Sequence, residues 1–168
     1  MLPHVFAILS TTPEKIRREI LTMSAREVRG RPAPGKWSVQ EILAHLDDVE
    51  GVGMRQRVEA IVTQPNPTLP PFDQEARAVA ERYDRKNPQR SLTSWMRKRR
   101  ENLRWLRRLR PVHLKRKARH ATVGEVSVED FLHEWAFHDL GHLKQILEIK
   151  RYALYPRMGN MRAFYRLS

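Results

Sequence analysis

The sequence contains no cysteine among its 168 residues. That absence excludes a disulfide framework, a thiolate zinc site, an iron–sulfur cluster and a cysteine nucleophile. Any metal must therefore be held by His, Asp or Glu. Also missing is an apolar run approaching the roughly 20 residues needed to cross a bilayer. The apolar start, residues 1–9, has no basic residues ahead of it and is interrupted by Pro3. It reads as a structural segment and not as a signal peptide. A soluble cytoplasmic protein with no membrane partner is expected. No internal repeat, low-complexity segment or convincing strand is found.

What is present suits a globular chain. Hydrophobic residues make up 40% and charged residues 30%, enough apolar material for a core under a solvated surface. The length suits a single domain spanning residues 1–168. The formal net charge is +13, from 32 basic and 19 acidic residues, and it is unevenly spread. Residues 97–119 hold 12 basic side chains against Glu101 alone, so this band carries +11.

Four long helical patterns stand out. Thr12 and Pro13 read as the start of the first, with Ile16, Ile20 and Met23 at helical spacing behind them. Gly30, Pro32, Pro34 and Gly35 then break the chain. Ser38 and Glu41 form a capping box. Val39, Ile42, Leu43, Leu46 and Val49 follow as an apolar stripe, and this second helix is expected to reach about Val62. Prolines at 65, 67, 70 and 71 end it, and residues 72–83 have room for a short helix. The third helix is expected to start at Ser91, with Leu92, Trp95, Met96, Leu103 and Leu106 inward and its Arg and Lys mostly outward, and to end before Pro111. Residues 112–126 read as a long loop with a brief extended piece at 124–126. Ser127 opens the fourth helix, which should run to about Lys150. The tail, 151–168, is rich in aromatics and is expected to pack on the bundle. The fold class is all-α, a four-helix bundle with its core at about 12–150.

The sharpest chemical signal is the His138–Asp139–Leu140–Gly141–His142 segment. Two imidazoles at i and i+4 lie on one helix face and can ligate one ion. Both sit in mid-stripe of the fourth helix, among Phe131, Trp135, Ile146 and Ile149, where a bundle wants aliphatic residues. Neutral imidazoles in a core leave ring nitrogens to satisfy, and one bound cation would satisfy both. His45, at the edge of the second helix's stripe, is the candidate third ligand. Three imidazoles would leave an open coordination position for water or substrate. Glu134, one turn before His138, is a candidate fourth ligand or hydrogen-bond acceptor, and an exposed acid equally well. Asp48 and Glu50 could orient an imidazole through its second nitrogen, although ordinary ion pairing is the better expectation. His113, His120 and His133 read as loop or outward positions.

The Pro32–Ala33–Pro34–Gly35–Lys36–Trp37–Ser38 segment, the Glu41 to Asp48 run around His45, Asn66 to Pro70 with Phe72 and Asp73, and the His138 to Ile146 run together resemble the DinB/YfiT-like superfamily. The resemblance extends in order over about residues 12–160. It implies a four-helix bundle holding a divalent metal, zinc or nickel most often, on His45, His138 and His142. It also implies a small-molecule substrate, activation of water or of a low-molecular-weight thiol for hydrolysis or transfer, and a homodimer. With no cysteine in the chain, the thiol would come from outside.

The basic band is not part of that resemblance. It reads as a solvated helix face, with nucleic-acid association and a structural metal as the competing function, and a non-catalytic interaction module as a third. The His face should open to solvent beside residues 65–72 and Trp37. Because the ligands must be neutral, protons should displace metal below about pH 5.5–6, judged from the ordinary imidazole pKa of about 6.5.

Overall fold

The structure is a computed structural model that describes residues 2–166; Met1, Leu167 and Ser168, the ends of the expected domain and tail, lie outside the described residues. Its elements run α1 (Pro3–Leu21), α2 (Ala25–Arg29), α3 (Val39–Val49), a π-helical segment (Glu50–Arg55), α4 (Gln56–Thr63), β1 (Thr68–Leu69), α5 (Gln74–Ala80), a 3₁₀ turn (Tyr83–Arg85), α6 (Pro88–Leu106), α7 (Pro111–Leu114), β2 (Lys117–His120), β3 (Gly124–Ser127), α8 (Val128–Leu154) and a 3₁₀ stretch (Tyr155–Phe164). The bundle is formed by α1, α3 with α4, α6 and α8. α1 packs against α8 and α6, and α3 packs against α6 and α8.

Helix α1 begins nine residues earlier than Thr12, with Pro3 in its first turn. Its buried residues Val5, Leu9, Thr12 and Ile16 form one continuous stripe. Thr12 is no cap: its hydroxyl donates back to the Ile8 carbonyl at 2.8 Å. Pro13 is interior, so it has no N–H for the Leu9 carbonyl four residues back. That carbonyl instead accepts from Arg99 Nη1 at 2.9 Å, which is how the helix tolerates the proline.

Ser38 caps α3 with the capping box through Glu41. The helix continues through the π-helical segment and α4 to Thr63. The wider π turn, a feature often found at functional sites, carries Glu50 into the interior, where it is 1% exposed. α6 starts at Pro88, capped by Asn87 Oδ1 accepting from Arg90 N at 3.0 Å. The expected start at Ser91 is therefore a buried interior position. Ser127 caps α8 through Asp130.

Residues 112–126 are not an open loop. β1 pairs parallel with β2 (Thr68 with Arg119), and β2 pairs antiparallel with β3 (Ala118 with Val126). Leu69 and Ala118 are buried by this small sheet. Strands of two to four residues are too short to show period-2 alternation, so the sequence expectation of no strand fails for a definite reason. In the tail, Tyr152 and Tyr155 are half-buried, whereas the 3₁₀ stretch has no fully buried side chain and Phe164 and Tyr165 are exposed. Gly159, with a φ of 53°, interrupts the helical path there.

The core divides into two apolar clusters. One gathers Val5, Leu9, Val58, Leu103, Phe131 and Trp135. The other gathers Ile16, Ile42, Leu46, Leu92, Trp95 and Ile146. Trp95 and Trp135, one from each cluster, both donate their indole N–H to Glu50 Oε2, at 3.1 and 3.2 Å. A polar layer thus sits where the clusters join.

Candidate metal centre

His45 comes from α3 and His138 and His142 from α8. Their Nε2 atoms converge: His45 to His138 is 3.0 Å and His138 to His142 is 3.0 Å. The ring centroids lie 4.3 to 5.1 Å apart. His45 and His142 are buried and His138 is half-buried. Burial, reinforced by the neighbouring His142, pushes the His45 pKa down to about 3. Burial together with both other imidazoles and Arg99 pushes His138 down to about 2. His142 is lowered by burial against a small opposing effect of Gln145. All three are therefore neutral imidazoles, the protonation state a metal ligand requires.

The donor set fits a divalent cation. Metal–imidazole bonds of about 2.0–2.1 Å bring the nitrogens of one coordination sphere to about 3 Å from each other, the spacing found here. His142 Nδ1 lies 2.7 Å from Gln145 Oε1. Donation to that carbonyl oxygen places the ring proton on Nδ1 and leaves the Nε2 lone pair facing the cluster. The buried Nδ1 atoms of His45 and His138 have no hydrogen-bond partner among the described residues. Trp37 packs on the His45 ring at 4.9 Å between centroids, and Tyr83 lies at 6.0 Å, so packing rather than a carboxylate holds that imidazole.

The candidate carboxylates are engaged elsewhere. Asp48 accepts from Tyr83 Oη at 2.7 Å and is gripped by the Arg77 guanidinium, one contact being 2.8 Å. Burial works against the Asp48 charge, but these two partners outweigh it and hold its pKa low. Glu134 is exposed on α8, and the three-imidazole group includes no carboxylate. His113 and His120 accept from nearby backbone amides, His133 meets the Glu129 carbonyl, and none of the three joins the cluster.

Glu50 belongs to a buried network that was not visible as such in the sequence. Arg99, in a helix whose Arg and Lys are expected to point mostly outward, is 2% exposed. All five of its donor positions are used. Nε and Nη2 reach Glu50 at 2.8 and 2.7 Å, Nη1 and Nη2 reach Asp139 at 2.5 and 2.9 Å, and Nη1 also reaches Leu9 O. Asn102 adds a bond to Glu50 Oε1 at 3.0 Å. Burial opposes the Arg99 charge, yet Asp139 and Glu50 raise its pKa further above the ordinary range. Burial lifts Asp139 to about 6 against the pull of Arg99. The network ties all four bundle helices together, and Asp139 is the residue next to His138.

A pocket of about 480 Å³ reaches the cluster at His142. Its walls are the Pro32, Ala33, Gly35, Lys36 and Trp37 loop, Gln74 and Glu75 at the start of α5, and Lys144, Gln145, Glu148 and Tyr152 of α8. Trp37 lines it as expected. The proline-rich segment 65–72 does not, since its residues form β1 and pack Leu69 and Phe72 against the core.

The profile of the DinB superfamily matches residues 8–146. The chain belongs to the DinB superfamily. Among solved structures it is similar to YfiT from Bacillus subtilis, described as a probable metal-dependent hydrolase with an unusual four-helix bundle topology. The TM-score is 0.81 at 22% identity, covering 89% of this chain and 85% of that one. That likeness establishes the four-helix bundle topology. No curated protein matches the sequence. Among the described residues, no helix of this DinB-superfamily chain is long and apolar enough to cross a membrane.

Proposed function

We propose that this DinB-superfamily protein is a cytoplasmic metal-dependent enzyme acting on a small molecule, with one zinc or nickel ion held by His45, His138 and His142. The observation that carries the reading is the convergence of three neutral imidazoles, with His138 Nε2 at 3.0 Å from Nε2 of both His45 and His142, beside a solvent-open pocket that His142 lines. The description of YfiT as a probable metal-dependent hydrolase supports hydrolysis as the reaction. A divalent ion with three imidazole ligands has an open position and lowers the pKa of a water or thiol nucleophile there.

The chain's own residues do the rest. Gln145 fixes the His142 tautomer. Trp37 walls the pocket and packs on His45. Lys36 and Lys144 offer ammonium groups to an anionic substrate group, and Glu75 and Glu148 set opposite charge beside them. The network of Arg99, Glu50 and Asp139 holds the two ligand-bearing helices in register.

The test is activity of untagged protein against a panel of small esters and amides, and against electrophiles with added low-molecular-weight thiols, before and after chelation. Activity should vanish on chelation, return with zinc or nickel, and be absent in His138→Ala. Activity indifferent to chelation would overturn the reading.

A further inference from the structure

The exposed face of α6 departs from how this protein treats its other arginines. Elsewhere several are paired with acids, Arg17 and Arg18 with Glu14, Arg55 with Glu59, Arg77 with Asp48, Arg82 with Asp84, and those without an ion pair among the described residues, such as Arg26, Arg29 and Arg157, are scattered and not aligned together on one helix face. Within the basic band, Arg99 is buried, Lys98 binds Asp47, Arg116 donates to the Ile61 and Gln64 carbonyls, and Lys117 meets Glu125. The exposed arginines along α6, counting Arg90 ahead of the band and Arg107 at the helix C-cap, are different. Arg90, Arg97, Arg100, Arg104 and Arg107 are exposed. Of these, only Arg97 has an ion-pair partner among the described residues, Glu101 at 3.0 Å. At about 100° per residue these five fall within an arc of roughly 100°, opposite the buried Trp95 and Asn102, and at 1.5 Å per residue they span roughly 25 Å. Arg108 follows one residue beyond.

We propose that this arginine face of α6 is a docking surface for the phosphate backbone of duplex DNA. Four features choose that partner. Every cation on the arc is arginine, whose planar fork grips phosphate oxygens in pairs. Gln89 and Thr93 are its only other members, so it has no apolar wedge of the kind that seats a helix in a lipid surface. It has no aromatic platform for stacking single-stranded bases. A helix about 10–12 Å across matches the major groove of B-form DNA, about 12 Å wide, whereas the A-form groove of duplex RNA excludes side chains. The contacts are with backbone only, so binding is independent of sequence. No residue of α6 lines the metal-site pocket, and the inference stands apart from the proposed enzyme activity.

The test is fluorescence anisotropy of a labelled 20-base-pair DNA duplex with the untagged full chain. Five phosphate contacts give a slope of about −4.5 in log affinity against log salt, so affinity should drop roughly 500-fold between 50 and 200 mM salt. The triple variant Arg100→Gln/Arg104→Gln/Arg107→Gln should lose about 2.7 of that slope and bind at least about tenfold more weakly. A control triple, Arg26→Gln/Arg29→Gln/Arg85→Gln, removes the same charge from other exposed positions and should bind nearly as the parent does. Circular dichroism confirms that both triples are folded. The inference is overturned by no binding at 50 mM salt or by equal losses in the two triples. It is likewise overturned if polyglutamate, anionic phosphatidylserine vesicles, duplex RNA or single-stranded DNA binds more tightly than duplex DNA.

Discussion

Replacing Arg99 with methionine is the most demanding perturbation of the core. The substitution keeps an unbranched stem but removes five donated hydrogen bonds: two to Glu50, two to Asp139 and one to the Leu9 carbonyl. Breaking a buried ion pair by removing one partner costs about 3–5 kcal/mol. Stranding the Leu9 carbonyl adds about 1–3 kcal/mol, because Pro13 cannot supply the helical N–H. The expected loss of about 4–8 kcal/mol rivals the whole stability of an ordinary domain, about 5–15 kcal/mol. Urea denaturation followed by circular dichroism measures it. The loss should depend on pH with a definite sign. Asp139 already has its folded pKa raised to about 6 from 3.8, and without Arg99 it rises further. The folded variant then binds a proton that the unfolded chain does not in the window above about pH 4, so acidification stabilises it relative to the wild type. The gap between variant and wild type should be wider at pH 8 than at pH 5. Pro13→Ala restores an N–H opposite Leu9, so it should rescue the Arg99→Met background by about 1 kcal/mol more than it affects the wild type. A variant within about 1 kcal/mol of wild type at pH 8, or a gap that ignores pH, would refute this account of the network.

Further outcomes follow from the site and the π-helical segment. His45→Ala, His138→Ala and His142→Ala should each abolish stoichiometric metal uptake, measured by inductively coupled plasma analysis; retention by all three would reject the ligand set. Metal should stay bound to a lower pH than the ordinary imidazole value of about 6.5 suggests, because burial lowers all three imidazole pKa values; metal lost already at about pH 6 would count against this. The same lowered folded values make stability of the metal-free protein complete above about pH 6.5 and progressively lost below it, which a pH series of melting temperatures checks. Gln145→Leu should weaken metal affinity about 10–100-fold by releasing the His142 tautomer, read by competition with a chromophoric chelator; unchanged affinity would count against that role. Gly53→Ala should destabilise by about 1–3 kcal/mol, since a Cβ there meets Val49 Cγ2 at 2.6 Å, whereas Gly51→Ala meets nothing within 4 Å and should be neutral or slightly stabilising in chemical denaturation.

The three imidazoles were legible because helix periodicity places His138 and His142 on the apolar stripe of α8 and His45 beside that of α3. Capping chemistry gave Ser38 and Ser127 as helix starts correctly, since their reciprocal partners Glu41 and Asp130 are local. It misplaced the first and third helices. Thr12–Pro13 and Ser91 look like starts in isolation, but the buried spacing of Val5 and Leu9 carries α1 upstream and Asn87–Pro88 starts α6. Arg99 could have been found: it falls on the line through Trp95, Asn102, Leu103 and Leu106. Its charge hid it, because an interior arginine makes sense only once Glu50 and Asp139 are brought to it from other helices. Gln145 was one turn from His142 on the same face. The pocket wall was assigned to residues 65–72 because prolines mark irregular backbone, yet those residues join β2, a pairing over 50 positions away that no local signal reports. The free pKa of histidine is the only reference a sequence offers; the lowering at His45 and His138 comes from burial, a property of the assembled bundle.

The most direct test of the central claim is a crystal structure of untagged protein grown with zinc or nickel, with anomalous data collected at the metal edge. The account predicts one strong peak per chain, about 2.0–2.1 Å from Nε2 of His45, His138 and His142, and none in His138→Ala. A peak elsewhere, or none at the three imidazoles with metal in excess, would contradict it.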